Sequence, residues 1–194
     1  MTEATLRRLF LRTNAMLEGH FKLSSGLHSD RYFQCALVLS DPRSALKLGQ
    51  TLAALILENG WTPEVVLSPA IGGIVVGHEV ARALGVRALF AERGADGALC
   101  LRRGFQLAPK ERVLVIEDVI TTGKSTAEVA ALARGLGAHP VAAASLVLRA
   151  QEPPDLGVPL RSLAHWPART YAPDSCPLCA AGSPVQKPGS RPDA

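Results

Sequence analysis

The sequence predicts an α/β fold, in which helices flank a doubly wound, mainly parallel sheet that carries a small N-terminal hood and a mobile lid hairpin. Short apolar runs alternate with stretches of helical periodicity between residues 65 and 148. These runs are nearly continuous in apolar residues, as expected for parallel strands that are covered on both faces. A length of 194 residues suits one domain of this kind.

The first 40 residues carry the elements expected to form the hood. Apolar residues at helical spacing from Leu6 to Leu17 predict an amphipathic helix that Gly19 closes. Residues 21–33 mix polar and apolar positions around a break at Gly26, which predicts a strand, a turn and a second strand.

The core is expected to span about residues 41–165. Asp41 and Pro42 read as an N-cap and a first-turn proline, and the helix that they open is predicted to stop at Gly60. Two strand, helix and strand rounds follow. Their predicted ranges are strand 65–68, helix 73–84, strand 87–91, strand 112–116, helix 125–136 and strand 141–148.

Two segments fall outside this alternation. Residues 92–109 contain three glycines and weak strand signals, and we expect them to form the lid hairpin. Residues 180–194 are rich in Pro, Gly, Ser and Ala, which predicts a loose tail. Residues 1–179 are therefore predicted to form a single domain.

Composition and charge exclude several classes of protein. Hydrophobic residues make up 47% of the chain and charged residues 20%, so the chain can bury a core. Its apolar runs are far shorter than the roughly 20 residues that span a bilayer, and its N-terminus lacks the apolar core of a signal peptide. We therefore expect a cytoplasmic protein with no membrane partner. The net charge of +4 suits an anionic small molecule as well as nucleic acid.

Residues 113–126 join an apolar strand, two adjacent carboxylates, a glycine-bearing turn and a helix. In an open α/β sheet the ligand lies beyond the carboxyl ends of the strands, so Glu117 and Asp118 would face it. The turn from Thr121 to Ser125 offers backbone amides, hydroxyls and the positive end of a helix. Those groups suit a phosphate monoester.

Two simpler interpretations of this segment fail. A P-loop would need glycine at position 118, where this chain has Asp118. An ordinary strand-to-helix turn with Ser125 as N-cap explains the glycine and the serine. It does not explain two carboxylates side by side, because their desolvation and mutual repulsion are costly unless something binds there.

The segment closely resembles the phosphoribosyl-diphosphate signature of the type I phosphoribosyltransferase family. Residues 23–29 (LSSGLHS), residues 68–74 (SPAIGGI) and Arg149 are similar to the orotate branch of that family, and the resemblance covers about residues 5–165. It implies the type I phosphoribosyltransferase fold. It also implies an enzyme that transfers ribose 5-phosphate from phosphoribosyl diphosphate to orotate, giving orotidine 5'-phosphate and diphosphate in pyrimidine biosynthesis.

The resemblance further implies the site residues, residue by residue. The expected contacts of phosphoribosyl diphosphate are Glu117, Asp118, Val119, Ile120, Thr121, Thr122, Gly123, Lys124, Ser125, Gly72 and Gly73. The expected contacts of orotate are Thr121, Arg149, Ser24, Ser25, Gly26, Tyr32 and Phe33. Glu117 and Asp118 would hold the ribose hydroxyls as catalytic residues, and the Arg149 guanidinium would pair with the orotate carboxylate. Mg²⁺ is implied as a cofactor that the diphosphate carries without direct protein ligands, and a homodimer is implied as the assembly.

The sequence departs from the family in its cations. Many members have lysine at the positions of Ser24 and Gly72, together with a lysine and a histidine in the mobile loop, whereas residues 94–99 here contain no base. We therefore predict that the leaving diphosphate is neutralised by one or more of the catalytic candidates Arg93, Arg102 and Arg103.

The four cysteines are too few and too scattered for a disulfide framework. Cys176 and Cys179 have the spacing of half a zinc site, which His165 or Cys35 could complete. Because the sequence has no second cysteine pair, a reduced structural pair is the favoured interpretation. Among the five histidines, His28 is the best placed to lie near a base pocket.

Two other functions stay open at this stage. A phosphoribosyltransferase for a purine or for uracil would share the phosphate site, but its base would offer no carboxylate to Arg149. An RNA-binding pyrimidine regulator that senses phosphoribosyl diphosphate would need a basic face, for which a net charge of +4 is thin support. We accordingly expect no nucleic-acid partner.

Overall fold

The computed structural model describes residues 1–188, which form six α-helices and nine strands. The helices are α1 (Glu3–Arg12), α2 (Cys35–Leu39), α3 (Pro42–Glu58), α4 (Gly73–Leu84), α5 (Lys124–Gly135) and α6 (Pro177–Ala180). The strands are β1 (Met16–Lys22), β2 (His28–Phe33), β3 (Val65–Pro69), β4 (Arg87–Arg93), β5 (Leu99–Leu101), β6 (Arg112–Ile120), β7 (His139–Leu148), β8 (Leu160–His165) and β9 (Thr170–Tyr171).

Six strands form the central sheet, in the order β5-β4-β3-β6-β7-β8. All neighbouring pairs are parallel except β4 and β5, whose antiparallel pairing makes the hairpin predicted within residues 92–109. The carboxyl ends of β3, β6 and β7 therefore meet at one edge of the sheet. This arrangement confirms the predicted fold class.

Helices cover both faces of this sheet, which explains why its central strands are largely apolar. On β6, Leu114 and Ile116 pack with residues of α3 and α4, whereas Val113 and Val115 pack with residues of α5. All four side chains are fully buried. A strand that faces helices on both sides favours apolar side chains at successive positions until it leaves the core.

The second sheet is the hood, in which β1, β2 and β9 pair antiparallel. It differs from the prediction at its start, because the first helix ends at Arg12 and residues 16–22 are a strand. Thr13 donates its hydroxyl to the Leu9 carbonyl, and Asn14 takes a positive φ of 55° that stops the helix. The apolar spacing that predicted a helix as far as Leu17 therefore continues past the end of α1 and into the first residues of β1.

Several element boundaries also differ from the prediction. Strand β6 continues to Ile120, four residues beyond its predicted end, and α5 begins at Lys124 behind Gly123, which takes the N-cap position expected of Ser125. Strand β8 and the short helix α2 were not predicted. Both are short, with five residues in α2 and six in β8.

The segment predicted as a loose tail is attached to the hood where the structure describes it. Lys22 donates its backbone N–H to the Gln186 carbonyl, and Gln186 donates to the His20 carbonyl, each at 2.8 Å. Residues 189–194 lie outside the described part of the chain. Among residues 1–188, none of the helices is long and apolar enough to cross a membrane.

Candidate active site

Two adjacent carboxylates occupy the carboxyl end of β6, as the sequence predicts. Asp118 accepts a hydrogen bond from the Val119 backbone N–H at 2.8 Å, and Glu117 accepts a longer one from the Asp118 N–H at 3.3 Å. Within residues 1–188 neither carboxylate forms an ion pair. Burial, reinforced by the neighbouring charge of Asp118, raises the pKa of Glu117 to about 9. Burial also raises the pKa of Asp118. The pair therefore lacks the cation or hydroxyl donors that would favour its ionised form.

Gly72 lies against the Asp118 carboxylate at the start of α4. A Cβ atom at Gly72 would lie 2.7 Å from Oδ1 of Asp118 and 2.9 Å from Oδ2. The next residue, Gly73, is equally confined, since its Cβ would lie 2.9 Å from the Ile116 carbonyl oxygen. These two glycines let the turn between β3 and α4 approach the end of β6. Side chains at either position would enter the space that the carboxylates occupy.

The turn after β6 presents backbone amides at the start of α5. Gly123 has a φ of 77°, and a Cβ there would lie 2.8 Å from Cγ of Pro154. The N-cap Gly123 has no side chain to cap α5, and the Thr122 hydroxyl accepts a long hydrogen bond of 3.4 Å from the Lys124 N–H. Thr121 and Thr122 are exposed and Ser125 is half-buried. The positive end of the helix is thus open to an anion.

The remaining turn residues contribute differently. The side chain of Ile120 is buried in the core, so only its backbone faces the turn. The Lys124 side chain is 78% exposed, and its Nζ lies 4.0 Å from the Glu128 carboxylate. Lys124 is therefore free to turn toward a ligand at small cost, because an exposed pair at this distance is weak.

A cavity of about 830 Å³ opens between the hood and the carboxyl edge of the sheet. It brings together the predicted residues Ser24, Ser25, Tyr32, Phe33, Asp118, Val119, Thr121, Thr122 and Arg149. The other predicted site residues are not among its lining residues: Glu117, Gly26, Gly72, Gly73, Ile120, Gly123, Lys124, Ser125, Arg93, Arg102 and Arg103. The sequence missed the lining residues Leu23, Leu27, Ala150, Gln151, Glu152, Pro154, Ala168 and Thr170. Leu23 and Leu27 lie within the motif of residues 23–29, whereas no periodicity or motif marks the others, most of which belong to irregular connections.

Arg149 follows β7 and projects a partly buried guanidinium into this cavity. Its Nη2 donates to the Ser29 hydroxyl at 3.2 Å, while its Nε is buried and has no hydrogen-bond partner among the described residues. Burial lowers the pKa of Arg149 from its ordinary value, although the negative charge of Asp30 partly opposes this effect. Within residues 1–188 no carboxylate forms an ion pair with this guanidinium. An anion in the cavity would supply the missing partner.

The three lid arginines differ in their partners. Arg93 pairs with Glu128 at 2.6 Å, and Arg103 forms a bidentate pair with Glu92 at 2.8 Å for both bonds. Arg102 is exposed, and among residues 1–188 its side chain has no hydrogen-bond or ion-pair partner. Of the three, Arg102 is therefore the cation that a ligand can recruit without breaking an existing pair.

Comparison with known proteins agrees with this geometry. Residues 39–159 match the model of the phosphoribosyl transferase domain, so the chain belongs to the phosphoribosyltransferase family. The orotate phosphoribosyltransferase of Carboxydothermus hydrogenoformans is 52% identical over 96% of this chain and 97% of the relative. That of Pelotomaculum thermopropionicum is 51% identical over 98% of this chain and 99% of the relative. The crystal structure of orotate phosphoribosyltransferase from Aeropyrum pernix superposes with a TM-score of 0.67 at 29% identity, covering 82% of this chain and 93% of that one. Within the family, the chain groups with the orotate phosphoribosyltransferases.

The contact between Gly72 and Asp118 can be tested by Gly72→Ala. Gly72 has ordinary helical φ and ψ values, so alanine costs nothing in backbone strain, but its methyl group displaces the Asp118 carboxylate. We expect the dissociation constant for phosphoribosyl diphosphate, measured by calorimetry, to rise roughly tenfold, or about 1.4 kcal/mol. Gly135→Ala is the control, because a Cβ there meets no atom within 4 Å. Equal affinities for the two variants would contradict the role of this contact.

The raised pKa of Glu117 predicts a pH-dependent cost to stability. Between its ordinary pKa of 4.5 and the native value of about 9, the unfolded chain has lost a proton that the native state keeps. The free energy of unfolding therefore falls as pH rises through this window. In Glu117→Gln this fall should be shallower, as measured by urea denaturation at pH 5 and pH 8. The exposed substitution Glu58→Gln should follow the parent protein, and a Glu117→Gln variant that also did so would refute the prediction.

Proposed function

We propose that this chain is an orotate phosphoribosyltransferase of pyrimidine biosynthesis. It transfers the ribose 5-phosphate group of phosphoribosyl diphosphate to orotate, and the products are orotidine 5'-phosphate and diphosphate. The observation that carries this proposal is the Arg149 guanidinium, which faces the cavity with a buried Nε and no carboxylate partner in residues 1–188.

Arg149 supports orotate over other nucleobases. A desolvated guanidinium is costly unless an anion pairs with it, and a planar carboxylate suits its fork geometry. Uracil and the purines have no carboxylate, so they would leave the charge uncompensated. Tyr32 and Phe33 contribute aromatic rings to the wall of the same cavity. A flat base can lie between these rings and Thr121.

The opposite side of the site suits phosphoribosyl diphosphate. The 5-phosphate would bind the open start of α5, from Val119 to Ser125, where amides and hydroxyls converge. The ribose hydroxyls would donate to Glu117 and Asp118 and thereby favour the ionised carboxylates, whose pKa values burial raises. The diphosphate would then lie toward the turn of Gly72 and Gly73, which has no side chains to exclude it.

Mg²⁺ is proposed as the cofactor that enters with the diphosphate. Oxygen donors are the ligands that it prefers, and two buried carboxylates without a counter-charge fit a cation on their outer side. Glu117 and Asp118 would hold it indirectly, through the ribose hydroxyls. When bound, it would neutralise charge on the leaving diphosphate.

The chemical step is a displacement at the anomeric carbon. The orotate ring nitrogen forms a bond to that carbon while the bond to the diphosphate oxygen breaks, and the diphosphate leaves with the electron pair. The ring nitrogen gives up its proton to the departing diphosphate. The chain holds both substrates in line, places two carboxylates beside the positive charge that develops on the ribose, and excludes water by closing the lid.

We propose that Arg102 is the lid residue that meets the leaving diphosphate, since Arg93 and Arg103 already pair with glutamates. The lid would act in a homodimer, in which the lid of one subunit closes over the site of its partner. The glycine-rich turn of the hairpin, with Gly94 and Gly97, would let the lid move as a unit.

The role of Arg149 predicts a selective loss with orotate. In Arg149→Ala, kcat/KM for orotate should fall roughly 100-fold, about 2.7 kcal/mol, because a charge-assisted bidentate pair is lost. The dissociation constant for phosphoribosyl diphosphate should stay unchanged. Arg8→Ala, at an exposed position on α1, is the matched control. Turnover of uracil or a purine by the parent protein, with none of orotate, would overturn the proposed substrate.

The role of Arg102 predicts an unequal effect of two neighbouring substitutions. Arg102→Ala should lower kcat by about tenfold or more through the lost charge at the leaving group, with little change in the KM of orotate. Arg103→Ala removes a guanidinium that Glu92 already neutralises, so kcat should change far less. Steady-state kinetics at saturating Mg²⁺ measure both. A larger loss in Arg103→Ala would reassign the role to that residue.

A further inference from the structure

A cluster of four metal-ligating side chains lies in the hood, away from the carboxylates of β6. It consists of His20 on β1, His28 at the start of β2, Cys176 just before α6 and Cys179 within α6. Their ligand atoms all lie within 4.8 Å of one another. The neighbours predicted for the cysteine pair were different, since His165 bonds to the Ala150 carbonyl and Cys35 is buried beside Glu117 and Asp118.

Three sulfur–nitrogen separations suit a tetrahedral ion. Zinc bonded to two sulfurs and two nitrogens places sulfur and nitrogen about 3.5 Å apart. Here His20 Nε2 lies 3.5 Å from Sγ of Cys176 and 3.7 Å from Sγ of Cys179, and His28 Nδ1 lies 3.3 Å from Sγ of Cys179. The two imidazole nitrogens are 2.8 Å apart. They need to separate by only about 0.5 Å to reach the spacing of two zinc-bound nitrogens.

The second nitrogen of His20 is oriented as in a metal ligand. Nδ1 lies 2.9 Å from the carbonyl oxygen of Ser183, and since a carbonyl can only accept, Nδ1 must carry the proton. The lone pair of His20 is therefore on Nε2, which points into the cluster. A backbone carbonyl in this outer position fixes the ring and its tautomer, as is usual for zinc-bound histidine.

The donor set and its burial favour a structural site. Two thiolates and two neutral imidazoles compensate the charge of Zn²⁺ completely, so the complex can be buried at low cost. His20, His28 and Cys176 are buried, whereas Cys179 is exposed and offers a route for the ion. Four protein ligands leave no open position for a substrate. Sulfur ligands also distinguish this site from the oxygen ligands that Mg²⁺ prefers.

We propose that these four residues form a structural Zn²⁺ site that fastens the C-terminal segment to the hood. Its ligands lie on both sides of the loop of residues 23–27, from which Leu23, Ser24, Ser25 and Leu27 line the cavity. His28 also precedes Ser29, the hydrogen-bond partner of Arg149. The ion thus fixes the loop of residues 23–27, which forms one wall of the cavity, although none of its four ligands lines the cavity. This role does not depend on which base binds there.

The test is the metal content of the untagged full chain, purified under reducing conditions. Elemental analysis should find about one zinc ion per chain. Cys179→Ser should lose most of it, and the control Cys100→Ser, which changes a cysteine on β5 outside the cluster, should retain it. Cobalt(II) in place of zinc should give the visible absorption of a tetrahedral thiolate site in the parent protein and in Cys100→Ser, but not in Cys179→Ser.

Several outcomes would overturn the proposal. These are a parent protein that binds no zinc after reduction and incubation with excess Zn²⁺, equal zinc content in Cys179→Ser, or a Cys176–Cys179 disulfide as the only state detected by mass spectrometry. If Cys179→Ser does not fold, a chelator is applied to the parent protein and amide hydrogen exchange is measured. Loss of zinc should then speed exchange at least tenfold at residues 20–28 and 176–186 while β3 and β6 stay protected. Unchanged exchange after zinc removal would refute the structural role.

Discussion

Glu117, Asp118 and Arg149 stand at the carboxyl ends of two adjacent parallel strands, and none of them has an ion-pair partner within residues 1–188. The register of β6 and β7 pairs Glu117 with Ser145 and Ile120 with Leu148, so Arg149 leaves the sheet beside the turn that follows β6. Parallel pairing fixes this offset, which keeps the carboxylates and the guanidinium from neutralising each other. One end of the site can therefore receive hydroxyls and a cation while the other receives an anion.

Buried ionisable groups without partners destabilise the folded chain, and the apolar sheet beneath them offsets the cost. The four residues of β6 that precede the carboxylates are completely buried, and both faces of the strand are packed against helices. A rigid support of this kind prevents the charged groups from relaxing toward solvent or toward one another. The same rigidity is what transition-state stabilisation by fixed charges requires, since groups that must reorganise contribute little.

The fold was largely predictable from the sequence because parallel strands that are buried on both faces leave a plain apolar signal. The acidic pair of residues 117–118 was predictable for the same reason, since charged residues contrast sharply with the strand before them. The hood was less predictable, because its helix end at Thr13 depends on a side-chain hydrogen bond and a positive φ at Asn14. The partners of Cys176 could not be predicted, because His20 lies 156 residues away in the sequence. The two come together only because the C-terminal segment pairs with β1.

The hood explains why a cross-link in this part of the chain is physically useful. Its third strand, β9, contributes only two paired residues, and a sheet this small is weakly stable by itself. Yet this sheet carries Tyr32 and Phe33, and its Ser29 hydroxyl accepts a hydrogen bond from Arg149. Motion of the sheet would therefore displace side chains that contact the base. A metal ion that joins both ends of the loop of residues 23–27 to the C-terminal segment stabilises the hood without adding apolar surface. The hood sheet can then hold Tyr32, Phe33 and Ser29 in fixed positions beside the substrate, as the central sheet holds Glu117 and Asp118.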